Sequence, residues 1–426
     1  MVEREREEEK RANEEKKKRW HQKTSKNDRS RYSQPPPPLK KKKNHLNLNL
    51  HPSSDPALLA SFYDQFVAAV GHRLSPLRLA QFAGAAATAR AASQGNTPAA
   101  ADAAADFLES VATELSSSIR HRSNADEGLD GPVLLLRSLA TQHAIRGAKG
   151  PDGARPRVRE LRRELERQSA ASQAATGFGG GEDAAPPAPP PAVSAAVHAT
   201  AAALAAADGD AGAFYRASLA RLAFVRPGDV ALAAEREQLA LDVGAAALLA
   251  DDVFSFGELL LHPIITEALG GEGESSSGGG AAGAGAGAGG DDDDTKGKAA
   301  TRKKHSWLGA LLRALADGDL RAFEAACDAH LSAIAASRPA VAEASREGGP
   351  LRAKARVCAL FALAASLPPE GRRAVPLAAI AEAAGLEGGE AEAEFLVMKA
   401  VAKGLIRATI DGVEGSVHVS LEVFFF

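Results

Sequence analysis

Five consecutive stretches near the end of the chain decide the fold: RAKARVCALFALAASL (352–367), PLAAIAEAAGL (376–386), EAEAEFLVMKAVAKGL (390–405), IRATI (406–410) and VHVSLEV (417–423). The first three repeat apolar residues at the spacing of amphipathic helices, and the last two alternate apolar and polar residues as strands do. The turn between those strands is rich in Asp and Gly, which indicates a β-hairpin. Together they predict a winged helix over residues 351–423.

The third helix of this module carries a definite expectation about its buried face. Phe395, Met398, Val401 and Leu405 form one apolar stripe, which we expect to face the core. The residues near its N-terminal end are acidic and those near its C-terminal end are basic, as the helix dipole favours. In the shorter helix before it, Pro at the start and Gly near the end fit a first helical residue and a left-handed C-terminal cap.

Helical patterns also fill most of residues 51–175 and 194–350. One short motif occurs twice: Ala-Asp-Gly-Asp at 207–210 and again at 316–319, each followed by Ala-Phe after two residues. In each copy Gly is expected to end one helix and the second Asp to cap the next. The sequence thus predicts a mostly α protein, a right-handed, tetratricopeptide-like array of helical hairpins that ends in the winged helix.

Several segments are too polar or too simple to bury a core. Residues 1–50 are predicted to form a disordered charged tail, 176–193 a Gly/Pro linker and 270–305 a disordered Gly/Ala-rich insertion, with 424–426 as a short tail. The lysine clusters of the first segment are typical of a solvated tail and also fit a nuclear-import signal, and both interpretations stay open.

Composition excludes several broad classes. The formal net charge of −3 over 426 residues is too small for the whole molecule to bind nucleic acid electrostatically. The two cysteines, Cys327 and Cys358, are far apart and suggest neither a zinc site nor a disulfide scaffold. No stretch has the length and apolar character of a membrane span, so a soluble intracellular protein is expected.

No residue set with the spacing of a known catalytic or metal-binding motif stands out. His262 and His418 are single imidazoles, for which structural or surface roles are expected. Asp251 and Asp252 are interpreted as a turn and helix-cap pair. We therefore expect neither an enzyme nor a cofactor.

Charge argues against DNA as the partner of the winged helix. A DNA-binding helix would present its N-terminal part to the major groove, but here that part carries Glu390, Glu392 and Glu394. The hairpin turn adds Asp411 and Glu414, which phosphate groups would repel.

Protein assembly is the alternative use of the same module. We interpret the second hairpin strand as an outer strand whose free backbone groups pair with a neighbouring subunit by strand addition. The candidate interface residues are Val417, Val419, Leu421 and Val423.

A helical array that ends in a winged helix resembles the PCI family, named for the proteasome lid, the signalosome and a translation initiation factor. Within that family the closest resemblance is to a lid subunit, and it covers roughly residues 57–423. The motifs that carry it are FSFGELLLHPII (254–265), SWLGALLRALADGDLRAF (306–323), EAEFLVMKAVAKGLIRATIDGVEGSVHVS (392–420) and, more weakly, SFYDQFVAAVGHRLSPLRL (61–79).

The resemblance implies a non-catalytic structural subunit of the lid of the 26S proteasome regulatory particle, which supports lid assembly and ubiquitin-dependent protein degradation. It implies a hetero-oligomer with other PCI subunits and the deubiquitinase module as partners, without nucleic acid or membrane, in the cytoplasm and nucleus. A scaffold subunit of the signalosome or of a translation initiation complex is the alternative within the family. A winged-helix nucleic-acid binder is the alternative outside it.

Overall fold

The computed structural model describes residues 56–71, 74–122, 130–176, 188–225, 233–269, 305–368 and 370–420. Most of these residues are helical, and a winged helix with one small antiparallel sheet follows the helical array, so the predicted fold class is confirmed. Of the segments predicted to be disordered, residues 1–50 and residues 270–304 of the insertion 270–305 lie outside the described residues, as does the tail 424–426. His305, the last residue of the predicted insertion, is described and is buried.

The described part of the chain contains seventeen α-helices and three strands. The helices are α1 (Pro56–Phe62), α2 (Ala68–Val70), α3 (Pro76–Ser93), α4 (Pro98–Arg122), α5 (Asp130–Arg146), α6 (Gly150–Thr176), α7 (Pro191–Asp208), α8 (Ala211–Leu222), α9 (Ala233–Leu249), α10 (Gly257–Leu261), α11 (Pro263–Leu269), α12 (Ser306–Asp317), α13 (Leu320–Ser337), α14 (Pro339–Ala344), α15 (Pro350–Ser366), α16 (Leu377–Ala383) and α17 (Glu390–Ala402). The strands are β1 (Val375–Pro376), β2 (Arg407–Asp411) and β3 (Ser416–Ser420). A π-helical stretch, Tyr63–Val67, joins α1 to α2, and a short 3₁₀ turn, Gly371–Arg373, precedes β1.

Small side chains allow the first helices to pack closely. The core that α1 to α7 share contains many fully buried alanines around larger residues such as Leu108 and Leu136. A Cβ added at Gly84 of α3 would lie 2.5 Å from a methyl group of Leu139 on α5, so these helices already touch where Gly stands. The alanine-rich composition thus produces close helix–helix packing.

A second core joins the helices from α8 to α15. Its largest buried side chains are Trp307, Phe256 and Phe323, which are at most 2% exposed. These residues come from α12, from the segment before α10 and from α13, so residues distant in sequence share one apolar centre.

The repeated Ala-Asp-Gly-Asp motif forms two equivalent joints, as predicted. Gly209 and Gly318 follow the last residues of α7 and α12 with φ angles of +73° and +67°, the left-handed conformation of a C-terminal cap. Asp210 and Asp319 then cap α8 and α13, because their Oδ1 atoms accept hydrogen bonds from the N–H groups three residues later at 2.8 and 2.9 Å.

The winged helix has its own core, and α15 forms the wall between that core and the preceding one. On α15, Leu351 and Ala355 belong to the core of the helical array, whereas Val357, Leu360 and Ala364 belong to the core of the winged helix. The two modules are therefore joined through one helix with two buried faces.

Two predicted boundaries differ from the structure. Helix α16 begins at Leu377 and not at Pro376, because Pro376 pairs with Ser416 as part of β1. Helix α7 begins at Pro191, inside the predicted linker 176–193, because Pro is well suited to a first helical position. No helix in the described ranges is both long and apolar enough to cross a membrane.

The two joints provide a matched pair of substitutions. Gly209→Ala should lower the free energy of unfolding by about 1 kcal/mol, since its left-handed backbone disfavours a Cβ but no atom lies within 4 Å. Gly318→Ala should cost roughly 1–3 kcal/mol more, because its Cβ would lie 2.5 Å from Ala362 Cβ and 2.6 Å from the Cys358 carbonyl oxygen of α15. Urea unfolding of both variants measures the difference, and equal losses would contradict the contact.

Candidate partner-binding site on the winged helix

The order of strands corrects the predicted outer strand. The sheet has the order β1-β3-β2, so β3 is the central strand where the sequence analysis placed it at the edge. Val417 pairs with Val375 on one side and with Ile410 on the other, and Val417 and Val419 are buried in the core. The reason is the short strand β1, whose two residues gave no strand signal in the sequence. Leu421 and Val423 lie outside the described residues.

Strand β2 lies at one edge of this sheet. Among the described residues, β2 pairs only with β3. The N–H of Leu377 donates to the Gly415 carbonyl oxygen, so these two opposite residues are a hydrogen-bonded pair. Hydrogen-bonded pairs recur at every second position, so Val375 and Val417 are one as well. Because backbone groups alternate in direction along a strand, those of His418 then face Thr409 on β2. The N–H and C=O groups of Ala408 and Ile410 therefore point outward from the edge.

The predicted face of α17 is also reversed. Phe395, Met398 and Val401, expected in the core, are 65%, 48% and 39% exposed. Leu405, expected on the same face, lies after the end of α17 and packs in part against the winged-helix core. The face that packs on the winged-helix core consists of Ala393, Leu396, Val397 and Ala400. Both faces of α17 are apolar, and the predicted face is the one with the bulkier side chains. The buried face contains two alanines because α17 lies close to its neighbours.

One buried charge lies at the contact between the helical array and the winged helix. Lys354 on α15 is 6% exposed, and its ammonium donates hydrogen bonds to the carbonyl oxygens of Ala247 and Ala250 at 2.7 Å and of Leu248 at 3.4 Å. These carbonyl groups are at the C-terminal end of α9, where an α-helix lacks donors of its own and its dipole is negative. Lys354 is thus a side-chain cap for a helix more than 100 residues earlier. No sequence signal predicts this role, because a lysine in an apolar helix carries no signal of the helix that it caps.

Aromatic rings complete the surroundings of this ammonium. Nζ lies 5.5 Å from the ring centroid of Phe254 and 5.3 Å from that of Phe256, within the range of cation–π contacts. Burial lowers the pKa of the Lys354 ammonium to about 8. That pKa is still above neutral pH, so the charged form predominates at pH 7.

A small cavity adjoins Lys354. Its volume is about 60 Å³, far below the roughly 300 Å³ at which small-molecule sites begin. The residues that line it are Asp251, Phe254, Pro350, Ala353, Lys354, Val357, Lys399 and Lys403. Lys403, directly after α17, closes one side by donating to the Asp251 carbonyl oxygen at 2.9 Å. The cavity therefore belongs to the joint between the two modules and has no room for a substrate.

The histidines and acidic residues singled out in the sequence have local structural contacts or face solvent. His262 Nδ1 accepts a hydrogen bond from the Ile264 N–H, and its Nε2 lies 3.2 Å from the Leu222 carbonyl oxygen. His418 is exposed on β3. Asp252 forms an ion pair with Arg216, and with Asp251 it lies in the predicted turn, but neither residue caps a helix.

The remaining titratable candidates are buried thiols. Burial raises the pKa of the Cys327 thiol to about 11 and that of Cys358 to about 12, so both are protonated at neutral pH. Within the described ranges, no group of three or more His, Cys, Asp or Glu residues is placed to hold a metal ion.

The acidic side chains weighed against DNA binding have structural contacts in part. Glu390 and Glu392 are exposed at the start of α17, and one oxygen of Glu392 accepts a hydrogen bond from the Gly388 N–H at 3.2 Å. Asp411 Oδ1 accepts from the N–H groups of Val413 and Glu414, which shapes the hairpin turn. The face and turn that a DNA-binding winged helix would use are thus acidic.

The described fold, an array of helices followed by a winged helix, agrees with the comparison with known families. Residues 370–421 match the family described as the PCI domain. Residues 184–275, which contain helices α7 to α11, match the family described as PSD13 N-terminal repeats.

The particular relatives are subunits of the proteasome. The chain is 29% identical over 207 residues to the 26S proteasome non-ATPase regulatory subunit 13 homolog A of Arabidopsis thaliana, which covers 49% of this chain and 43% of the relative. It is 29% identical over 211 residues to the 26S proteasome regulatory subunit RPN9 of Saccharomyces cerevisiae, covering 50% and 43%. The corresponding subunit of Dictyostelium discoideum is 26% identical over 214 residues, covering 50% and 45%. The predicted resemblance is confirmed, and the chain spans less than half the length of these relatives.

Replacing Lys354 by Met tests the buried cap. At pH 7 the variant should lose about 1–3 kcal/mol of unfolding free energy, because carbonyl groups of α9 lose their donor. The pKa of Lys354 is about 8 in the folded protein, below the ordinary value of 10.5. Between pH 8 and pH 10.5 the unfolded chain therefore binds more protons than the folded protein, and the unfolding free energy of the parent rises with pH. The difference between parent and variant should therefore widen from pH 7 to pH 9, by at most about 1.4 kcal/mol per unit.

Urea unfolding at both pH values measures this difference. Lys149→Met, at an exposed position, is the matched control and should change stability by less than about 0.5 kcal/mol. A difference that shrinks as the pH rises would contradict the lowered pKa of Lys354.

Proposed function

We propose that this protein is a non-catalytic structural subunit of the lid of the 26S proteasome regulatory particle. In this role it supports assembly of the lid and ubiquitin-dependent protein degradation, in the cytoplasm and nucleus. Its partners are other PCI subunits of the lid and the deubiquitinase module, with which it forms a hetero-oligomer.

The main support for the proposal is that the fold of this chain and the names of its relatives agree. A PCI domain ends a helical array, and the curated relatives that share about half of this chain are named as regulatory subunits of the 26S proteasome. Several of their names include the term non-ATPase, which supports a role without nucleotide hydrolysis. The match to PSD13 N-terminal repeats lies upstream of the PCI match, so two separate parts of the chain support the same assignment.

The charge of the winged helix supports a protein partner over nucleic acid. Exposed carboxylates at the start of α17 would lie near phosphate oxygens in a DNA complex, where they would be repelled. The outward N–H and C=O groups of Ala408 and Ile410, in contrast, have the geometry that an added strand needs. We therefore place the predicted strand addition at β2 in place of β3, with a PCI neighbour as the source of the added strand.

Affinity purification tests the assignment directly. The tagged full chain, purified from the cells in which it is native, should recover the other lid subunits in stoichiometric amounts. Recovery of the subunits of the signalosome or of an initiation complex would instead assign it to that assembly, and a chain recovered free of lid subunits would overturn the proposal.

The edge of β2 offers a sharper test of how the subunit binds. Ala408→Pro removes an outward N–H, because proline has no backbone donor, and should reduce the recovered lid at least about tenfold. Ala408→Ser keeps the N–H at the same small, half-buried position and should bind as the parent does. Thermal unfolding of both variants checks that the winged helix stays folded. Equal recovery with a folded proline variant would rule out pairing at this edge.

A further inference from the structure

An apolar stripe runs along the solvent side of α17, opposite to its buried face. It consists of Ala391, Phe395, Met398 and Ala402, all of which are exposed. Phe395 is 65% and Met398 48% exposed, although side chains of this size are usually covered in a folded protein. The winged-helix core does not use this face, and the strand addition proposed at β2 does not use it either.

The spacing of the stripe indicates what kind of surface covers it. The intervals from Ala391 to Ala402 are four, three and four residues, the alternation of core positions in a heptad repeat. Such a stripe packs along a second α-helix that crosses at about 20°, with side chains of each helix inserted between those of the other. A flat sheet or an extended peptide would not match this spacing.

The charges beside the stripe indicate the direction of that second helix. Glu392 and Lys399 lie on the same side of the stripe, seven residues apart. If a second α17 packs antiparallel about a two-fold axis, the same sides face each other and Glu392 of one copy lies near Lys399 of the other. In a parallel pair this side would instead face the opposite side of the other copy, which carries Glu394 and Val401. The side of α17 that carries Glu392 and Lys399 is thus complementary to itself when two copies pack antiparallel.

The sizes of the stripe residues fit the same two-fold arrangement. An axis midway along the stripe places Phe395 of one copy opposite Met398 of the other, so the large side chains meet at the centre. Ala391 then lies opposite Ala402 at each end, where the backbones can approach closely. The interface would have large apolar side chains at its centre and charged pairs at its rim, as protein interfaces commonly do.

We propose that two copies of this chain associate through antiparallel packing of their α17 helices. The stripe spans eleven residue steps, or about 16 Å of helix. A contact of this length buries less surface than the roughly 800 Å² per partner of a standard stable interface. The dimer is therefore weak, with a dissociation constant on the order of micromolar or above. It is a property of the free chain and does not depend on the function proposed above.

Sedimentation velocity of the purified full chain, over a concentration series up to about ten times that dissociation constant, tests the proposal. The parent should shift from monomer to dimer. Phe395→Glu and Met398→Glu should each weaken dimerisation about tenfold or more, because a carboxylate would be buried against an apolar side chain. Leu58→Glu, at a 64% exposed apolar residue on α1, is the matched control and should dimerise as the parent does.

Charge reversal tests the direction of packing. Glu392→Lys and Lys399→Glu should each weaken self-association, since each creates like-charged sides, and an equal mixture of the two variants should associate again. Thermal unfolding controls for the hydrogen bond that Glu392 also makes to Gly388.

Either of two results would overturn the proposal. The first is a parent that stays monomeric throughout the series, which would leave the stripe to a helix of a different protein. The second is a dimer that Phe395→Glu and Met398→Glu do not change, which would locate the contact elsewhere.

Discussion

The winged helix is held to the rest of the protein around one buried ammonium group. Lys354 enters the apolar contact between α9 and α15 because the last carbonyl groups of α9 have no donors within their own helix. An uncompensated charge at this depth would cost several kcal/mol, and the carbonyl oxygens and two aromatic rings offset that cost. The alternative, an apolar side chain, would leave the end of α9 buried without partners. This cap is one of the contacts that hold α15, and with it the terminal module, against the helical array.

The two faces of α15 explain how a helical array can present a compact domain at its end. One face packs in the core around Trp307, and α16, α17 and the sheet pack against the other face. Phe254 and Phe361 meet edge to face across the same boundary, with ring centroids 6.2 Å apart. Polar and aromatic contacts therefore fix the angle at which the winged helix projects, while β2 and the outer side of α17 remain open to solvent. We propose the first for strand addition and the second for self-association.

Alanine shapes both what the chain buries and what it leaves exposed. Where helices touch through alanine and glycine, their axes approach closely and little apolar area is needed on each side chain. This is how α17 buries Ala393 and Ala400 while Phe395 and Met398 stay in solvent. Large apolar side chains on the outside of a close-packed helix are not required by its own fold. They are the ones to consider first as contacts with other molecules.

The sequence by itself determined the local elements, because those depend on residues near each other in the chain. The two Gly-Asp joints, the helical periodicity, the hairpin and the resemblance to PCI proteins were all available from short stretches. The tertiary structure alone decided which of two apolar faces of α17 is buried, which strand is central, and which helix Lys354 caps. Each of these depends on a partner far away in sequence: the core under α17, the two residues of β1, and the end of α9. Periodicity records that a face is apolar, but only packing decides which surface covers it.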